Sequence, residues 1–155
     1  MRRDLSLALL LIVLVLFTRG YAADRFVTWD EPAWVFRSAH FIGALAEGEL
    51  ASTMQSGHPG VTTMWIGALS LLWRQWVGGQ AITEQLTAVQ ALSAYDAIDA
   101  DSLRLLVALL PQAKAGLPLA HALIALSVWL LLRRLLDWRY ALVAVSLLVL
   151  DPYYM

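Results

Sequence analysis

The sequence contains no cysteine. Disulfide frameworks and thiolate metal sites are therefore excluded, and the compartment has to be read from topology. Charge is scarce as well. Asp, Glu, Lys and Arg together make up 15% of the 155 residues, against about 25% in a typical soluble domain. The net charge of -1 leaves no basic excess of the kind that holds nucleic acid. Triad, P-loop and dinucleotide fingerprints are missing, and the three histidines are too scattered along the chain for a metal site. No internal repeat or low-complexity segment is present. What remains is apolar: 60% of the residues are hydrophobic and the mean hydropathy is +0.65. The implied class is an all-α, polytopic helical membrane protein.

The apolar runs divide the chain. Leu5 to Phe17 is apolar except for Ser6, with Arg2 and Arg3 before it. It reads either as a cleavable signal peptide ending in small residues or as a retained first helix over about 5–23. A basic start belongs on the cytoplasmic side, so either reading puts the following loop, 24–57, outside. In that loop Trp34, Phe41, Ile42 and Leu45 recur on one side at helical spacing, and Pro32 suits a first helical turn. The expectation is an interfacial helix lying at headgroup depth. A second membrane helix is expected over about 59–77, a polar connection over 78–102, and an apolar helical region over 103–132. A last helix starts near 138 and runs to 155, where it looks cut, so the chain reads as the N-terminal part of a larger protein. One conflict stands. Counting crossings from an inside start places the Arg133–Arg139 cluster outside, whereas Lys and Arg favour the inner side.

The stretch "TWDEPAW", Thr28 to Trp34, concentrates the chemistry. Asp30 and Glu31 can be a helix cap and a first-turn acid that complements the helix dipole. They can equally hold a general base, which has to be ionised, reachable from water and fixed in direction. His58, in "SGHPGV", is a polar residue before a helix or an imidazolium that steadies a phosphate at a helix start. Arg37, His40 and Arg104 read first as solvated or headgroup-contacting side chains. His121, in an apolar run, reads first as a buried histidine bonded to a carbonyl, although an intramembrane ionisable group also marks function.

The order of these features resembles the start of polyprenyl-phosphate-dependent glycosyltransferases of the GT-C superfamily, closest to the protein O-mannosyltransferase and aminoarabinose-transferase type. The carriers are "DEP" in the first outer loop, "HPG" before the next helix, "SLRLLVALLP", and "RRLLDWRYALVAV". His58-Pro59-Gly60 departs from the family's His-Pro-Pro or Lys-Pro-Pro element at its third residue. The resemblance implies that Asp30, with Glu31 beside it, is the catalytic base. It implies that His58, Arg37 and Arg104 hold the lipid phosphate, and that a sugar moves from polyprenyl phosphate to a lipid, glycan or protein hydroxyl. The reaction would take place on the non-cytoplasmic face of a bacterial plasma membrane. No cofactor is implied, and a divalent metal stays open. The rival reading is a non-catalytic membrane protein or subunit whose outer loop binds lipid headgroups.

Overall fold

The computed structural model describes residues 2–22, 28, 30–55 and 61–150. Among these residues the chain is all helix, with no strand. The helices are α1 (Arg2–Ala22), α2 (Glu31–Glu47), α3 (Val61–Gly78), α4 (Gln80–Gln90), α5 (Ala100–Lys114), α6 (Leu117–Leu135) and α7 (Trp138–Leu150). Short 3₁₀ turns cover Leu50–Thr53 and Tyr95–Ala97.

The stops follow from local chemistry. Gly48 ends α2 with φ +75°, a region where a side chain would clash, and the Glu49 N–H closes on the Ala44 carbonyl at 2.9 Å. Gly79 turns the chain from α3 into α4 with φ +67°. Asp99 caps α5 by accepting the Ser102 N–H at 2.8 Å, and Asp137 accepts the Arg139 N–H at 3.0 Å at the head of α7. Between α5 and α6 the helix breaks at residues 115–116, and Pro118 in the first turn of α6 lacks the backbone donor that would continue the ladder from α5.

The chain divides into two units. The terminal unit holds α1, α6 and α7. Its interior is Leu11, Val15, Trp129, Ala141 and Val145 with small residues Ala8, Ala122 and Ala125. Its outside is large and apolar: Leu5, Leu9, Phe17, Leu119, Leu123, Leu131, Val143 and Leu147 are all more than half exposed. Small residues at the helix contacts and large apolar ones outside give this unit an apolar outer surface. Arg133 of α6 donates to Asp4 of α1 at 3.0 Å, and Arg19 of α1 donates to the Val149 carbonyl of α7 at 2.8 Å. These two ties set α6 antiparallel to α1 and α7 parallel to it.

The central unit holds α2 to α5 around Val35, Phe36, Ala39, Leu71, Leu86, Val89, Leu106 and Leu109. Leu71, Leu106 and Leu109 have no exposed surface, and each such burial contributes about 1.5–3 kcal/mol. The approach of α2 to α3 is close because Gly67 faces Ser38, whose hydroxyl donates to the Met64 carbonyl at 3.1 Å.

Several boundaries differ from the sequence reading. The four residues of the expected interfacial face are divided: Ile42 lies in the core, Trp34 and Phe41 are partly buried, and Leu45 is exposed. The polar connection 78–102 contains α4, which buries Leu86 and Val89. The apolar region 103–132 is two helices, α5 and α6, one in each unit. Two helical stretches are long and apolar enough to cross a membrane, Asp4–Tyr21 and Ala100–Leu135. The expected helix over 59–77 corresponds to α3, which is not among them because Arg74, Gln75 and two glycines dilute it. The expected extension of α7 through 151–155 lies outside the described residues.

Candidate functional site at the head of the second helix

The start of α2 is organised by the spacing Thr28-x-x-Glu31. A glutamate three residues after a threonine can reach back to that residue's backbone N–H. It does so here, with Glu31 Oε2 accepting the Thr28 N–H at 3.2 Å. The other glutamate oxygen, Oε1, meets Lys114 Nζ at 2.7 Å across the unit. That ion pair is largely shielded, with the Lys114 and Glu31 side chains 14% and 21% exposed. It fastens the first turn of α2 to the last turn of α5.

Asp30 is treated differently by the same fold. It occupies the cap position of α2 but accepts no helix N–H with its side chain. One carboxylate oxygen accepts the Thr28 hydroxyl at 2.8 Å, and the other accepts the Trp34 indole N–H at 3.4 Å, a long bond. The residue stays exposed. The Thr28 hydroxyl bond is the main reason its pKa lies below the ordinary 3.8, with Trp34 and the positive charge of Arg37 adding to the effect. Arg37 stacks its guanidinium 4.9 Å from the centre of the Trp34 ring. The simple helix-cap reading of Asp30 is thus not what its side chain does.

A continuous chain of contacts results. Lys114 holds Glu31, Glu31 holds the Thr28 backbone, and the Thr28 hydroxyl holds Asp30. Sequence reasoning misses both Lys114 and Thr28 as members of this site. The Thr28-x-x-Glu31 spacing is a usable signal for the threonine, whereas nothing local marks the lysine. Arg104 is placed elsewhere. It sits ten residues before Lys114 on the same helix, about 15 Å along the axis. There it pairs with Asp101 at 2.6 Å, both side chains being well exposed. His58 lies outside the described residues.

The other histidines also have definite surroundings. His40 is half-buried with its ring 4.1 Å from that of Phe36, rather than solvated. Burial depresses its pKa below 6.5, and the Val89 and Leu92 carbonyls act in the opposite direction. His121 lines a small cavity in the terminal unit with Val15, Arg19, Ala125 and Val149. Among the described residues no three His, Asp or Glu side chains come together to hold a metal ion. No known protein family, curated protein or solved structure matches this chain.

Proposed function

We propose that the chain is part of a membrane glycosyltransferase that moves a sugar from a polyprenyl phosphate to an acceptor hydroxyl on the non-cytoplasmic face. The observation that carries this reading is the state of Asp30: ionised, exposed, and held through both oxygens. A carboxylate that is ionised, reachable from water and fixed in direction can take a proton from a hydroxyl as the hydroxyl oxygen attacks the anomeric carbon. Its depressed pKa keeps it ionised but makes it a weak base. The bond between that carbon and the phosphate oxygen then breaks, and the lipid phosphate leaves with the electron pair. Arg37, beside Trp34, and His58 are the cations assigned to the departing phosphate. Arg104, assigned to the same phosphate by the resemblance, stands about 15 Å along α5 from Lys114 and pairs with Asp101.

Glu31 takes a supporting part. Its charge is matched by Lys114 at 2.7 Å, so it orients Thr28 and, through it, Asp30. The membrane setting is supported by the large apolar side chains that α1 and α6 expose and by the two stretches long and apolar enough to cross, Asp4–Tyr21 and Ala100–Leu135. α1 stays in the mature protein in this reading, since Leu11 and Val15 complete a core with α6 and α7.

The test uses the intact protein in proteoliposomes with a radiolabelled polyprenyl phosphate sugar. Asp30→Asn is expected to abolish transfer while membrane insertion is unchanged. Transfer at the wild-type rate in that variant removes Asp30 as the base.

A further inference from the structure

We infer that α3 does not cross the bilayer but lies along its non-cytoplasmic surface, with Trp65, Leu69, Trp73 and Trp76 set into the headgroup boundary. The inference rests on the membrane reading above, and four observations lead to it.

The first is sidedness. Asp4 near the start of α1 pairs with Arg133 near the end of α6, so these two helix ends share one side of the terminal unit. Lys and Arg favour the cytoplasmic side in short loops and at helix ends. Arg133, Arg134 and Arg139 stand at that shared end, as does the start of α1 at Arg2 and Arg3, against Arg19 at the opposite end of α1. α1 therefore runs outward and α6 returns inward, and the chain between them makes no net crossing. The conflict in the sequence-based count disappears once α3 is withdrawn from it.

The second is the company α3 keeps. It packs against α2, α4 and α5 in the central unit. Glu47 of α2 and Glu84 of α4 are exposed on that unit. Were α3 to cross, these neighbours would carry their carboxylates toward hydrocarbon, at a cost of a few kcal/mol for each. Across residues 28–116 as a whole, acidic residues outnumber basic ones eight to four.

The third is the shape of the helix's own surface. Met64, Gly67, Ala68, Ser70 and Leu71 are buried against the unit. Trp65, Leu69, Trp73 and Trp76 are 54%, 67%, 60% and 77% exposed, and they follow one another at helical spacing along the opposite side. The fourth is composition. Three tryptophans in such a stripe suit the interface, where the ring is apolar and its N–H stays wet. Phe41, stacked 6.0 Å from Trp65, extends the stripe onto α2. A bilayer surface fits this stripe, because a helix long and apolar enough to span precedes α2 and another follows α5.

The absence of cysteine makes the test clean. Single cysteines at Glu49, Glu84 and Leu136, all exposed positions, are labelled in sealed vesicles with a membrane-impermeant maleimide. Residues 49 and 84, on either side of α3, are expected to react from the same side and residue 136 from the other. Reaction of 49 and 84 from opposite sides overturns the inference. A spin label is then placed at Trp65, Leu69 or Trp76 in vesicles of phosphatidylethanolamine and phosphatidylglycerol. An in-plane helix gives the three labels a common shallow depth. A crossing helix separates 69 from 76 by about 10 Å, and water-like exposure at all three shows that no lipid is met; either result rejects the docking. If all three cysteines react from both sides, the membrane reading fails with it. If Asp30→Asn alone leaves transfer intact, only the enzymatic assignment falls.

Discussion

Replacing Lys114 with methionine keeps the length of the stem and removes the charge that meets Glu31. The two groups lie 2.7 Å apart, with the lysine 14% and the glutamate 21% exposed. Losing one partner of a fully buried pair costs about 3–5 kcal/mol, whereas an exposed pair contributes only about 0–1 kcal/mol. With 14% and 21% of the two side chains still reached by solvent, the expected loss is about 2 kcal/mol, or roughly a 30-fold shift in the unfolding equilibrium. Glu31→Gln is expected to cost a similar amount, because it removes the carboxylate that meets Lys114 while keeping an acceptor for the Thr28 N–H. The double variant loses the attraction but strands neither charge. It is therefore less destabilised than the sum of the two singles, by about 1–2 kcal/mol of coupling. The assay is a titration of detergent-solubilised protein with dodecyl sulfate, followed by tryptophan fluorescence. Single losses that add to within about 0.5 kcal/mol in the double variant would show that the pair contributes nothing, and the support for Thr28 and Asp30 would have to come from elsewhere.

Three further outcomes are expected. Thr28→Ala removes the main cause of the depressed Asp30 pKa, so that pKa rises toward 3.8. A depressed carboxylate adds stability that is present above its unfolded value and lost as pH falls through the folded one. The variant therefore loses its ionised Asp30 at higher pH than the wild type, which carbon NMR of labelled aspartate or the acid limb of a transfer–pH profile would record; an unmoved titration contradicts the hydroxyl's role. Gly67→Ala places a methyl group 2.5 Å from the Ser38 hydroxyl and is expected to destabilise the central unit by about 1–3 kcal/mol, with unchanged stability showing that α2 and α3 are not so close. His40, depressed below 6.5, binds fewer protons folded than unfolded in the window just under that value. Stability is therefore expected to fall as pH drops from 7.5 to 5.5, and His40→Gln should flatten that dependence; an equally steep fall in the variant assigns it to other groups.

Much of the architecture is legible in the order of the residues. Leu5 to Phe17 marks a helix by its apolarity, broken only at Ser6. Pro32 at the head of α2 and Asp137 before α7 place two helix starts to within a residue or two. α4 is harder to see because only Leu86 and Val89 enter the core, too few apolar positions to stand out among Gln, Thr and Glu. How α2 is buried is hidden for the opposite reason: its side chains are apolar or small on more than one face, and periodicity cannot say whether lipid or protein will cover them.

The candidate site shows the same division. That a carboxylate pair stands at the head of a helix a few residues after a long apolar run is written into local order alone, since caps, prolines and apolar runs act over a few residues. Which carboxylate is left for solvent is not. Asp30 and Glu31 are neighbours with the same charge, and they separate only because Lys114 arrives from the end of another helix to neutralise one of them. The sides of the terminal unit are likewise undecided until Arg133 meets Asp4 over a separation of 129 residues. Local sequence determines where helices begin and which stretches avoid water, because those energies are summed residue by residue. Which charges meet depends on the packing of helices far apart in the chain, and only the tertiary structure decided that.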